Sequence, residues 1–346
     1  MGFTKAFGFG NMQQLKLPIS KMTGLLWLAV ALFFILTAYL HLQNKPGWYW
    51  IALPAVLLSQ IVIVMSWQDA KAGTFVNILV LMAAIVSFTS HRFENTFRRD
   101  VKENLQQNSV ISGELLTEAD LIHLPVPVQN YLRYAAVVNK PIVKNARIVF
   151  QGQMRDKGKD WFDFTSEQYN FFDEPARLFF MKATMFGISL PGYHHYIKTA
   201  AVMDIRLFGL FPVLQKQGAV MDKTETVTLF NDMCLLAPAT LIDKRIQWRP
   251  VNDTTVSATF TNHHITITAD LFFNRQGQLV NFVSGDRTAV SEMKTFPFST
   301  PVAGYKNVAG YNVMGAGEAV WQYPDGKFTY GKFNLISIEY NTPLLR

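Results

Sequence analysis

Between Lys21 and Lys45 the chain runs for 23 residues without an Asp, Glu, Lys or Arg, and between Lys45 and Asp69 it does so again for another 23. A helix needs about 20 apolar residues to cross the hydrocarbon core of a bilayer, so "GLLWLAVALFFILTAYL" and "WYWIALPAVLLSQIVIVMSW" read as membrane spans. Trp48, Trp50 and Trp67 flank the second, where aromatic belts meet the interface. A third, shorter run, "TFVNILVLMAAIVSFTS", follows from Thr74 to Ser90. The expectation is three transmembrane helices, at about 23–43, 48–67 and 74–90, because a domain this small cannot bury three such runs in succession. Gln60 and Asn77 lie inside these runs and are expected to hydrogen-bond a neighbouring helix. The first run is too long for the apolar part of a cleavable signal and is expected to stay in the protein.

Hydrophobic residues make up 49% of the 346, high for a wholly soluble chain. The positive balance is spread thinly: residues 1–90 carry five Lys and one Asp, the remainder 27 Lys and Arg against 24 Asp and Glu. Nucleic-acid binding, which needs a clustered basic stripe, is excluded as a leading class. Basic residues flank the spans almost equally on both sides, so charge alone does not orient the chain. The stretch "HRFENTFRRDVK" by itself prefers the cytoplasm.

Residues 91–112 are polar and helix-compatible, a stalk or linker. Two short helices broken by Pro125 and Pro127 are expected next. From Ala146 the hydrophobic period changes from about 3.6 to 2, the signature of a sheet. In "HITITADLFF", Ile265, Ile267, Ala269, Leu271 and Phe273 share one face and polar residues the other; "TVSATF" precedes it, with "TNHH" as the turn. "YPDGKFTY" carries a tight-hairpin signal at Asp325-Gly326. "ARLFFMKATMFG" is apolar on both faces, with Leu178 and Phe180 on one side and Phe179, Met181, Ala183 and Met185 on the other. Both faces need covering, by helices, by a sheet curling on itself, or by an apolar ligand.

The only cysteine, Cys234, stands in "TLFNDMCLLAPATLID" near Asp232 and Asp243. Asp222 and Glu225 resemble a capping box starting a helix, and Val227, Phe230 and Cys234 fall on its buried stripe, so Cys234 reads as core rather than nucleophile. His194-His195 and His263-His264 each offer at most one side chain to a given strand face, and no metal motif accompanies them. Asp163 and Glu167 would stand about 13 Å apart on one strand face, too far for a glycosidase pair. Asp286 and Arg287 in "SGDR" read first as a salt bridge within a turn, second as an anion contact. No nucleotide-binding loop or hydrolase elbow is present.

The segments "LPVPVQNYLRY", "FQGQMR", "WFDFTSEQ", "FNDMCLLAPATLID", "SGDR" and "GEAVWQYPDGKFTYGKFNLISIEYN" follow one another across residues 114–341. In this order they resemble an uncharacterised bacterial family, a domain of unknown function often attached to membrane helices. "GFTKAFG" and "WQDAKAGTFVNILVL" are similar to its longer, multi-spanning members. The resemblance implies a membrane-tethered, sheet-rich domain and transfers no catalytic residue. The longer members carry a further hydrophobic segment before "GFTKAFG"; with it the spans would number four and the domain would face the cytoplasm.

The expected fold is α+β: N-terminal transmembrane helices (residues 1–90), a helical stalk (91–112), and a curved, mainly antiparallel sheet with a few covering helices (113–346). The expected function is that of a multi-pass bacterial inner-membrane protein binding an apolar or lipid-like ligand or a membrane-protein partner, with no cofactor or metal and no assigned catalytic residue. Candidate ligand contacts are Phe179, Met181, Met185, Asp232, Cys234, Asp243, Asp286 and Arg287. The rival is an enzyme of envelope or lipid substrates using Asp232, Cys234 and Asp243, and a third reading is a scaffold for another membrane protein.

Overall fold

The computed structural model of the protein describes residues 1–10, 15–108, 113–185 and 187–343. The chain forms two compact units, Met1–Phe93 with Phe208–Leu210, and Glu94–Leu207 with Phe211–Arg346.

The first unit contains α1 (Gly2–Phe7), α2 (Lys21–Leu42), α3 (Tyr49–Met65), α4 (Trp67–Ala70) and the beginning of α5 (Gly73–Gln107). Ser20 caps α2 by accepting a hydrogen bond from the Thr23 amide at 3.1 Å. Helices α2 and α5 are long and apolar enough to cross a membrane, whereas α3 is a shorter apolar helix of 17 residues. Their large side chains point outward, among them Leu32, Ile35, Val76 and Met82. The two amides in the apolar runs find partners: Gln60 Nε2 donates to Thr74 Oγ1 at 3.1 Å, and Asn77 Nδ2 donates to Gln60 Oε1 at 3.0 Å.

Helix α5 does not end with its apolar run: the segment expected as a helical stalk over 91–112 is helical as far as Gln107. The polar residues continue the same helix to Gln107, and from Glu94 they belong to the sheet unit. Phe97, Val101 and Leu105 recur every four residues and are buried there, which is why a stretch that looks polar still packs. Residues 109–112 of that segment lie outside the described residues.

The second unit adds α6 (Val126–Tyr134), α7 (Ala219–Leu236) and sixteen strands. Before α7 come β1 (Asn145–Met154), β2 (Phe162–Phe171), β3 (Ala176–Met185), β4 (Ile188–Ile197), β5 (Ala200–Leu207) and β6 (Phe211–Gln217). After it come β7 (Ile246–Asn252), β8 (Thr255–Asn262), β9 (Ile265–Phe273), β10 (Leu279–Ser284), β11 (Thr288–Ala289), β12 (Lys294–Thr295), β13 (Phe298–Ser299), β14 (Val302–Val308), β15 (Tyr311–Tyr323) and β16 (Gly326–Tyr340). Fourteen of them form one curved antiparallel sheet in the order β6-β5-β4-β3-β2-β1-β16-β15-β13-β10-β9-β8-β7, with β14 paired to β15; β11 and β12 form a separate hairpin. The last strand closes against the first, Ala146 opposite Tyr340. Burial alternates strictly along β8, and His263 and His264 make the turn to β9, His263 in the left-handed region at φ 52°.

Helix α7 lies on the inner face of this sheet and is buried almost all round. Phe230 stacks on Phe260 at 5.1 Å and meets Phe282 at 5.9 Å, and Tyr131 of α6 donates its hydroxyl to the Cys234 carbonyl at 2.7 Å. The opposite face of β3 is covered by α5: Phe97 packs on Phe180 at 5.4 Å and on Tyr193 at 5.6 Å, Glu94 pairs with Lys182 at 2.7 Å, and Tyr193 donates to Asp100 at 2.9 Å. The doubly apolar character of β3 therefore needs no ligand on that side, because a helix fills it.

Candidate functional site

Along β2, Ser166, Gln168 and Asn170 occupy alternate positions and so share the inner face, where apolar residues would be expected to meet α7. They are buried because β3 and α7 supply partners. Arg177 lies opposite Asn170 on β3, and Glu225 and Asp232 are seven residues apart on α7, two helical turns, which puts both carboxylates on one side of the helix. Arg177 donates through Nε to Asp232 at 2.8 Å, through Nη1 to Glu225 at 3.2 Å and through Nη2 to the Gln168 carbonyl at 3.0 Å. The same Asp232 oxygen accepts from Gln168 at 2.7 Å and Asn170 at 3.1 Å. Burial works against the charge of Arg177, but Asp232 and then Glu225 outweigh it and raise its pKa above the ordinary value.

Beside this network the inner face changes character. Phe179 stands opposite both Gln168 and His194, and Met181 opposite Ser166. His194 is half-buried, yet its Nε2 is enclosed and has no hydrogen-bond partner among the described residues, and the same holds for Ser166 Oγ and Arg287 Nε. Burial, then the charges of Arg177 and Arg287, push the His194 pKa down to about 3, so the ring is neutral at physiological pH. Arg287 lies over the ring of Phe298 at 4.0 Å, near Trp321 at 5.3 Å, and donates to the Tyr330 hydroxyl at 2.7 Å. Polar atoms without partners are thus set among aromatic and thioether side chains, a surface suited to a molecule with both apolar and polar parts.

Residues 114–333 match the family of unknown function DUF6544. The chain belongs to DUF6544. The matched range is the sheet-rich part that carries the site, and no curated protein matches the chain. Among solved structures, the DUF6544 chain is similar to a DUF1329 family protein from Desulfovibrio piger, at 9% identity and a TM-score of 0.36, covering 63% of this chain and 93% of that one. It is also similar to a putative outer membrane lipoprotein-sorting protein domain from Vibrio parahaemolyticus, at 11% identity and 0.35, covering 58% and 86%. A LolA superfamily protein from Nitrosomonas europaea matches at 9% and 0.36, covering 63% and 95%. At these scores the reading of the DUF6544 site rests on its own residues.

The structure brings together only some of the candidates read from the sequence. Phe179 and Met181 line the inner face, Asp232 anchors the buried network, and Arg287 sits at its aromatic margin. Met185 lies at the far end of β3, outside that group. Cys234, two residues beyond Asp232, points about 200° away around the helix and is sealed in the core, where burial pushes its thiol well above the ordinary value. Asp243 is engaged elsewhere, in a two-pronged pair with Arg245. The enzyme reading that needed Asp232, Cys234 and Asp243 to converge is corrected: the three face different neighbours. The salt bridge expected within "SGDR" is not made either, since Asp286 pairs with Lys223 at 2.6 Å and accepts from Thr268, leaving Arg287 to Tyr330. The capping box also fails: α7 starts at Ala219, Asp222 accepts from the Ala201 amide, and Glu225 reaches Arg177.

Sequence reasoning did not single out Ser166, Gln168, Asn170 or Arg177, and it read His194 and Glu225 for other roles. Two signals were there: three polar residues on the alternate positions of a strand whose other face bears Tyr169 and Phe171, and two acids two helical turns apart.

Proposed function

We propose that this protein is a binding protein for an amphipathic, lipid-like molecule, anchored in the bacterial inner membrane through α2, α3 and α5, with its sheet unit as the receptor. The observation that carries the reading is the set of enclosed, unpartnered polar atoms, Ser166 Oγ, His194 Nε2 and Arg287 Nε, on a face otherwise built from Phe179, Met181, Phe298 and Trp321. A buried polar atom without a partner costs about 1–3 kcal/mol, and a ligand carrying both polar atoms and an alkyl portion would relieve that cost. The anchoring is supported by two helices of spanning length whose apolar side chains face outward. A membrane tether would keep such a receptor beside its ligand's source.

The test is mass spectrometry of the organic extract of the full chain purified in detergent. One lipid class held at a roughly one-to-one ratio and enriched over the solubilised membrane is the expected result. Lipids recovered only in bulk-membrane proportions would sink the proposal.

A further inference from the structure

The two arginines near His194 differ in how their charge is met. Arg177 faces two carboxylates, Glu225 and Asp232. Arg287 forms no ion pair among the described residues; its chain neighbour Asp286 is taken by Lys223. The guanidinium of Arg287 is instead held by rings: Phe298 at 4.0 Å, Trp321 at 5.3 Å and Tyr330 at 5.9 Å, with Nη1 donating to the Tyr330 hydroxyl at 2.7 Å. Stacking on aromatic faces fixes the plane of a guanidinium without neutralising it. Nε, the nitrogen through which arginine grips an oxyanion side-on together with Nη2, is enclosed and has no acceptor among the described residues. A half-buried cation held in a fixed plane, with no carboxylate paired to it among the described residues, is suited to receive an anion.

Resting on the ligand-binding reading above, we infer that the ligand's polar end is an oxyanion, a phosphate or carboxylate, received by Arg287, with the ligand's apolar portion running toward Phe179 and Met181. Ser166 Oγ and His194 Nε2, enclosed and without partners among the described residues, lie on the same inner face. Arg287 is the specificity determinant: it selects an acidic headgroup over an uncharged one of the same chain length.

The experiment is calorimetric titration of the full chain, in an uncharged detergent, with decyl phosphate, decanol and inorganic phosphate, repeated on Arg287→Gln and Arg287→Lys. Partition into detergent is common to all variants and cancels in the comparison. Decyl phosphate is expected to bind the natural chain about tenfold or more tighter than decanol, the value of one charged hydrogen bond. Arg287→Gln should bring decyl phosphate down to the decanol level while leaving decanol unchanged, and Arg287→Lys should retain part of the preference. Equal binding of decyl phosphate and decanol by the natural chain overturns this inference and leaves the binding reading standing; failure of both alkyl ligands to bind removes the binding reading as well. An Arg287→Gln effect that is equal on both ligands, or absent, also overturns it. Displacement of decyl phosphate by equimolar inorganic phosphate assigns the site to a free anion, and its absence assigns it to a headgroup. Should Arg287→Gln not fold by circular dichroism, the decyl phosphate to decanol ratio of the natural chain and its decline with added salt decide the matter.

Discussion

Asp232 ties α7 to the sheet through one carboxylate oxygen that accepts from Arg177, Gln168 and Asn170 at 2.8, 2.7 and 3.1 Å. Asp232→Ala removes all three bonds at once. It leaves Glu225 as the one carboxylate on Arg177, beside the Gln168 carbonyl, and strands the buried Asn170 amide donor, while Gln168 keeps its bond to Asn170 Oδ1 at 2.9 Å. Breaking a buried ion pair from one side costs about 3–5 kcal/mol; because Glu225 still meets the arginine, the lower end, about 3 kcal/mol, is expected here. For a unit of this size that is a fall in melting temperature of about 6–12 °C. The control is Asp243→Ala, which removes an Asp–Arg pair of similar geometry whose partners retain 22% and 28% of their side-chain exposure, and where about 0–1 kcal/mol is expected. Thermal unfolding of the full chain in detergent, followed by near-ultraviolet circular dichroism, measures both. If the two variants shift the transition equally, or Asp232→Ala shifts it by less than about 2 °C, the network does not hold the helix on the sheet as argued.

Three further outcomes follow from the same geometry. Cys234, with 0% exposure and a thiol pushed upward by burial, should resist maleimide in the native full chain and react completely once unfolded; native labelling would contradict its place in the core. His194 has a folded pKa pushed below its ordinary 6.5 to about 3, so the unfolded chain takes up a proton that the folded chain refuses. Stability should therefore decline as pH falls from about 6.5 toward 3, and His194→Gln should flatten that limb in denaturant titrations at stepped pH. A Cβ at Gly152 would meet the Lys332 carbonyl oxygen at 2.0 Å and the Phe164 ring at 2.9 Å, so Gly152→Ala should cost about 1–3 kcal/mol in chemical unfolding, where a neutral result would refute the close β1–β16 approach.

Local pattern was readable in the sequence wherever local physics decides it. The alternation in "TVSATF" and "HITITADLFF" gives β8 and β9 with their two-histidine turn, and the Asp-Gly pair marks the bend between β15 and β16. What was not readable is what distant segments do to each other. Arg177 looks like a stray charge at the head of an apolar strand because its partners stand 48 and 55 residues downstream, on a helix. Glu225 and Asp222 satisfied a local capping rule that longer-range partners override. Phe180 looked like surplus greasy surface because the covering residue, Phe97, belongs to a stretch whose net impression is polar. For the same reason the candidates split: Phe179 and Met181 could be found from strand period alone, whereas Asp232 is tied to the inner face by Gln168, Asn170 and Arg177, all of them distant in sequence.

The central claim, that the inner face of the sheet receives a lipid-like molecule, is tested most directly by photo-crosslinking. The full chain would be irradiated with a diazirine-bearing fatty acid and the adducts mapped by peptide mass spectrometry. The account predicts adducts concentrated on the β3 peptide containing Phe179 and Met181 and on the segment containing Phe298, competed away by unlabelled fatty acid. Adducts confined to α2, α3 and the apolar part of α5, unaffected by competitor, would contradict it.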